Sequence, residues 1–262
     1  RQRLFNLAGS KWSDYNPELI SEGGGVFERS AKIILISKEI QNLLDLNVDL
    51  ITPSDLIKSI LKADVDLLWN GGIGTYIKSS LENNIDIGDK SNDNLRCDGK
   101  DIRAKVICEG GNLGVSQLGR IEYAINGGHI NTDFIDNSAG VSCSDHEVNI
   151  KIALNIAVLS SGKCTLEDRN KLLQEMTTQV EKLVLVDNYD QNLAITIAQK
   201  TPVLNIEHFS KLIQDLEKEG LLNRKVEFLP TVAELSRRFV NKDKLTRAEL
   251  SVLLSYSKMS VE

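Results

Sequence analysis

Three stretches of this 262-residue chain combine glycine with carboxamide, carboxylate or hydroxyl side chains. They are Asn70-Gly71-Gly72, Glu109-Gly110-Gly111-Asn112, and Asn137-Ser138-Ala139-Gly140 followed by Ser144. Glycine permits a ligand or a second backbone to approach more closely than any other residue does. The chemistry implied is therefore binding at the main chain, with the asparagines as polar contacts. The competing reading is a set of plain turns in which Asn112 bonds its own backbone. Glu109 is either a base or a carboxylate that orders its loop. Gly23-Gly24-Gly25 with Arg29 and Lys32 reads either as an anion cradle or as a surface loop.

The elements that would position these groups follow from the local pattern. Thr52 caps a helix that opens with Pro53, and Leu56, Ile57, Ile60 and Leu61 form its apolar face. Val65 to Trp69 and Lys105 to Cys108 read as strands, each stopped by a glycine turn. Ser116 to Asn126 is predicted helical, and Asn131 to Ile135 reads as a third strand. Strand, glycine turn and helix in repetition indicate a parallel sheet, whose ligands collect at the carboxyl ends of the strands.

After residue 142 glycine becomes rare and helical periodicity takes over. Ser144 and Glu147 have the spacing of a capping box, and Glu147 and Lys151 that of an i,i+4 pair. As a cap, Ser144 would stand where a helix N-terminus favours anions. Asp145 and His146 read as surface or packing residues. Further helices are expected from Leu166 to about Asn188, from His208 to Gly220, and from Thr246 to Lys258. The fold class is thus α/β: a partial Rossmann-like parallel sheet over 18–142, then a mainly helical region over 143–262, with 1–17 as a lead-in.

Composition narrows the function. A net charge of −6 argues against a nucleic-acid partner, and no apolar run reaches the roughly 18 residues of a membrane span. Cys97, Cys108, Cys143 and Cys164 form no CxxC pair, so no metal site is expected and the compartment reads as reducing and cytoplasmic. No G-x-G-x-x-G occurs, and GGIG at 71–74 lacks the third glycine. The N-terminus has neither methionine nor a signal-peptide core, so the chain reads as cut from something longer, with its dinucleotide turn upstream.

The segments SEGGGVFERSAK, VDLLWNGGIGTYIK, VICEGGNLGVSQLGRIEYA, NTDFIDNSAGVSCSDHEVNIKI and LTRAELSVLLSYSK resemble the large bacterial NAD-specific glutamate dehydrogenases, in order, over residues 18 to 260. The resemblance implies oxidative deamination of L-glutamate to 2-oxoglutarate and ammonia, with NAD as cofactor. It places the catalytic lysines and aspartate upstream of Arg1, leaving no catalytic residue in this chain. Lys32, Lys78 and Lys105 match none of the catalytic lysine contexts.

Two motifs are similar to those of the smaller glutamate dehydrogenases. Glu109-Gly110-Gly111-Asn112 resembles E-G-A-N, with Gly111 in place of alanine, and implies that Asn112 meets the cofactor near the nicotinamide ribose. Asn137-Ser138-Ala139-Gly140-Val141 resembles N-A-G-G-V, with Ser138-Ala139 in place of Ala-Gly. It implies that Asn137 reaches the nicotinamide amide and that Ser144 binds the substrate's side-chain carboxylate. Asn70, Gly71 and Gly72 are expected beside the adenosine ribose, or else form a plain turn. Expected partners are the remaining domains of the parent chain and further copies in a homo-oligomer. The alternative is a non-catalytic piece whose helices pack against neighbouring domains or subunits.

Overall fold

Two short apolar runs, each stopped by glycine, become the central strands of this fold, and the second of them is β-branched. A computed structural model describes residues 6–156, 162, 165–201 and 206–260; Cys164 lies outside them. Strands β1 (Ile34–Leu35) and β2 (Leu50–Ile51) form a short antiparallel pair. Helices α1 (Lys38–Leu44) and α2 (Pro53–Leu61) accompany them, and Thr52 caps α2 by accepting the Asp55 N–H. Ile34, Ile36, Leu44, Ile51, Leu56 and Ala63 bury one another there.

Strand β3 (Leu67–Asn70) then sets the frame for the site. After β4 (Ile77–Lys78), the single turn α3 (Asn84–Ile87) and β5 (Cys97–Asp98), the chain enters β6 (Val106–Glu109). Strand β3 pairs with β6 in parallel, with Asn70 opposite Glu109, and β4 pairs in parallel with β5. Helix α4 (Gln117–Ile125) starts where expected, because Ser116 accepts the Gly119 N–H. Ile77, Ile107, Val115, Tyr123 and Ile130 form the core between these strands and α4. Full burial of a side chain such as Ile107 contributes about 1.5–3 kcal/mol.

The expected third strand is not formed. The sheet gains only a parallel bridge from Val106 to His129, and Asp133–Asp136 coil into a single turn, α5. The reason lies in the side chains: the two carboxylates bond backbone N–H groups of the 109–113 loop, which requires them on one side of a turn. An extended strand would put Asp133 and Asp136, three positions apart, on opposite faces.

Helix α6 (Ala139–Leu154) follows at once, so the texture change at 142 falls inside a helix. Next come α7 (Leu166–Lys200), longer than its periodicity suggested, α8 (Ile206–Lys218), α9 (Val232–Asn241) and α10 (Arg247–Met259). Thr165, Thr231 and Thr246 each cap a helix reciprocally with the acid three residues on. Helix α10 packs on both α4 and α7. The helical core, including Ile195, Ile213, Leu235 and Leu253, also takes in Ile135 from α5. It therefore supports the segment that carries Asn137. Among the described residues no helix is long and apolar enough to cross a membrane.

Candidate functional site

The parallel register brings two of the three glycine stretches together at the carboxyl ends of β3 and β6. The Asn70 carbonyl accepts the N–H of Gly110 at 2.9 Å and of Gly111 at 3.2 Å. At Gly111 a Cβ would stand 2.5 Å from the Gly72 carbonyl oxygen, and at Gly114 it would meet the Asn70 amide nitrogen at 1.7 Å. Gly111 faces backbone and has no room for alanine, whereas at Gly114 the Asn70 side chain would have to swing aside. The glycine at 111, where the smaller enzymes carry alanine, thus has a steric cause.

Beneath this loop lies a buried ionic triad. Glu109 is 0% exposed, and Arg120 grips it from Nε at 2.7 Å and from Nη2 at 2.9 Å. The same Nη2 lies 2.9 Å from Asp133 Oδ1. Glu109 Oε1 also accepts the Val115 N–H at 3.0 Å. Burial pushes the Glu109 carboxyl up, opposed by Arg120 and the Val115 N–H. Burial works against the Arg120 guanidinium, yet its bonds to Glu109 and Asp133 lift it above its ordinary value. With every bond turned inward, Glu109 orders its loop rather than acting as a base.

Helix α5 grips the loop from the other side. Asp136 Oδ2 accepts the Glu109 N–H at 3.0 Å, and Asp133 Oδ2 accepts the Leu113 N–H at 2.8 Å. Leu113 holds a left-handed φ of 54°, a strained value for a non-glycine residue that this bond helps to maintain. One residue beyond Asp136, Asn137 donates from Nδ2 to Asn112 Oδ1 at 2.7 Å. The exposed Asn112 and the half-buried Asn137 therefore meet at one point. Burial, with the charge of Asp136, pushes the neighbouring Cys108 thiol up to about 12, so it carries no thiolate for nucleophilic chemistry.

Gly140 and Ser144 sit apart from that pair but share a face of α6, four positions apart. Nothing lies within 4 Å of where a Gly140 Cβ would be, so the face is open there. Ser144 is exposed and lies in the second turn of a helix that begins at Ala139. The expected capping box at Ser144 is therefore absent: the residue has helical geometry, and a cap needs an extended residue before the first turn. Glu147 and Lys151 do form their ion pair, and His146 binds Asp187 on α7 at 2.7 Å.

Asn70 and Gly72 also border a cavity of about 280 Å³ shared with Arg29 and Trp69. The Ser37 hydroxyl donates to the Gly23 carbonyl, while Lys32 remains exposed, so Arg29 alone of the basic residues near that glycine run reaches the cavity wall. Among the described residues no group of three His, Cys, Asp or Glu side chains could hold a metal ion. Lys78 pairs with Asp98 and Lys105 with Asp66.

Arg120, Asp133 and Asp136 escaped the sequence reading. The signal open to it was the pair of acids three apart directly before Asn137.

Residues 1–198 match the family model described as bacterial NAD-glutamate dehydrogenase, catalytic domain. Over all of its length the chain is 55% identical to the NAD-specific glutamate dehydrogenase of Pseudomonas aeruginosa. It is 50% identical, over 98% of its length, to that of Halomonas elongata. The Mycobacterium tuberculosis enzyme of the same name is 44% identical over the whole chain. In each case the chain spans 16% of the relative's own length.

Proposed function

Because the chain belongs to the bacterial NAD-glutamate dehydrogenase catalytic-domain family, we propose that it supplies part of the cofactor cleft of an enzyme oxidising L-glutamate. The reaction is oxidative deamination to 2-oxoglutarate and ammonia, and bound NAD supplies the hydride acceptor.

The observation that carries this reading is the Asn137–Asn112 bond. With one donor and one acceptor spent on each other, Asn112 retains Nδ2–H and Asn137 retains its carbonyl lone pairs. Side by side, these match a carboxamide, which also presents one acceptor and one donor. The nicotinamide amide fits that pair, and the strand-end glycines beside it leave the main chain accessible. In this reading Asn112 and Asn137 orient the nicotinamide, and the Glu109–Arg120–Asp133 triad keeps their loops in place. Asn70, Gly71, Gly72, Gly110 and Gly111 form the floor towards the ribose. Gly140 leaves the start of α6 open to the cofactor beside Asn137, and Ser144 donates to the side-chain carboxylate of glutamate.

General acid–base groups are assigned to other parts of the parent polypeptide. Leu67 and Trp69, 54% and 59% exposed, form an apolar strand face suited to burial against that remainder. The same surface favours the second reading, in which the isolated piece is inert and serves packing. Fluorescence titration of the chain with NADH separates the two: saturable energy transfer from tryptophan supports the cleft, and its absence supports packing. A cytoplasmic homo-oligomer without nucleic-acid or membrane partners remains part of the proposal.

A further inference from the structure

Helix α5 ends at Asp136 and α6 begins at Ala139, so Asn137 stands in the short joint between two helices. The last carbonyls of a helix lack intrahelical partners, and a side chain at such a joint is placed only as well as the backbone around it. The Asn137 N–H reaches back to the Asp133 carbonyl at 2.8 Å. The remainder of the joint is fixed from α7.

Asn188 Nδ2 donates to the Ile135 carbonyl at 2.8 Å and to Ser138 Oγ at 3.0 Å. A carboxamide nitrogen carries two N–H donors, and here both go to residues flanking Asn137, one on each side. The Ser138 hydroxyl is buried and does not cap α6; its oxygen receives Asn188 instead. One turn further along the same face of α7, Asn192 accepts from Asn131 Nδ2 at 2.9 Å. Asn131 Nδ2 also donates to Asp136 Oδ1 at 2.8 Å, and Arg247 Nε holds the Asn131 carbonyl oxygen at 2.8 Å. The platform behind these contacts is firm, because α7 runs for 35 residues and packs on α6 and α10.

We propose that Asn188 is a positioning residue for the cofactor site: by pinning residues 135 and 138 it sets where the Asn137 carboxamide stands against Asn112. This role rests on the reading above that Asn137 meets the nicotinamide amide, and adds the group that aims it. Groups that orient a ligand must be held to within about 0.5 Å by the residues behind them, and the two bonds of Asn188 supply that support at the joint. Both its donors are turned to the joint, so Asn188 acts on NAD through Asn137.

The test is a mutant cycle in the full-length enzyme, reading kcat/KM for NAD in Asn188→Leu, Asn137→Ala and the double variant. Asn188→Leu keeps the branched shape and removes both donors. It should lower kcat/KM for NAD by roughly threefold to tenfold, and by no more than Asn137→Ala does. In the Asn137→Ala background the same change should cost less than about twofold, because its target is gone. A purely structural role would cost the same factor in both backgrounds. Ser138→Ala, which removes one of the two acceptors, should show a smaller loss with the same dependence on Asn137, and it serves if Asn188→Leu fails to fold. Wild-type NAD kinetics in Asn137→Ala overturn the cofactor reading itself. A harmful Asn137→Ala overturns the positioning role alone if Asn188→Leu and Ser138→Ala behave as wild type, or if their full effect persists without Asn137.

Discussion

Asn137 donates a hydrogen bond of 2.7 Å to Asn112 across 25 positions of sequence. The bond ties the loop after β6 to the start of α6, and both ends are fixed from below. Asp136 and Asp133 hold the loop's backbone at Glu109 and Leu113, while Arg120 joins Glu109 to Asp133. Two carboxamides are thus presented by a braced scaffold, which is what orientation of a ligand requires.

Ser144 offers a sharp separation of roles, because it lies inside α6 and caps nothing. In the full-length enzyme, Ser144→Ala should lower kcat/KM for glutamate by roughly tenfold to a hundredfold, the equivalent of about 1.5–3 kcal/mol for a hydrogen bond to a carboxylate. The thermal midpoint should not fall, since alanine is the better helix former. Unchanged glutamate kinetics would remove Ser144 from the site.

Arg120→Met should strand two buried carboxylates and cost about 3–5 kcal/mol. Hydrogen exchange across residues 106–115 should accelerate accordingly. Adding Glu109→Met should recover part of the loss, because it removes one of the unpaired charges. If the single variant keeps full exchange protection, the triad does not brace the loop.

Asp89 predicts a pH dependence. Its carboxylate accepts from Asn92 at 2.7 Å, from the Thr75 N–H at 2.9 Å and from Ser91 at 2.8 Å, and these bonds hold its pKa at about 2. An unfolded aspartate titrates near 3.9, about two units higher. The stabilisation is therefore fully present above about pH 4 and is lost as the pH falls towards 2. Asp89→Asn should be less stable than the parent near neutrality, and the gap should narrow below pH 4. A gap independent of pH would contradict this.

Much of the fold could be read from local chemistry. Thr52, Ser116 and Thr246 marked true helix starts because each stands extended before an amphipathic run. Ser144 carried the same Ser-x-x-Glu spacing and misled, because the helix had already begun at Ala139 among small residues with no side-chain cap at Ser138. The apolar residues of 131–135 suggested a strand, yet Ile135 belongs to the helical core and the flanking aspartates demand a turn. The asparagines of the site were visible through their glycine neighbours. Their support was not, since Glu109, Arg120 and Asp133 come from three separate elements and no local spacing links them.

The isolated 262-residue chain should show no glutamate-dependent reduction of NAD. Lys78 is held by Asp98 in a largely covered pair, Lys105 meets Asp66 only at the surface, and neither stands in a catalytic-lysine context. Steady NADH production by the purified chain would overturn the assignment of the acid–base groups to other parts of the polypeptide.

The central claim, that Asn112 and Asn137 together hold the nicotinamide end of NAD, is tested most directly by saturation kinetics of a double-mutant cycle in the full-length enzyme. Asn112→Ala and Asn137→Ala should each raise KM for NAD or lower kcat/KM for NAD by roughly threefold to tenfold, the range of about 0.5–1.5 kcal/mol per hydrogen bond, with KM for glutamate little changed. The double variant should lose less than the product of the single effects, because the two side chains act as one unit. Wild-type NAD kinetics in both single variants would contradict the account.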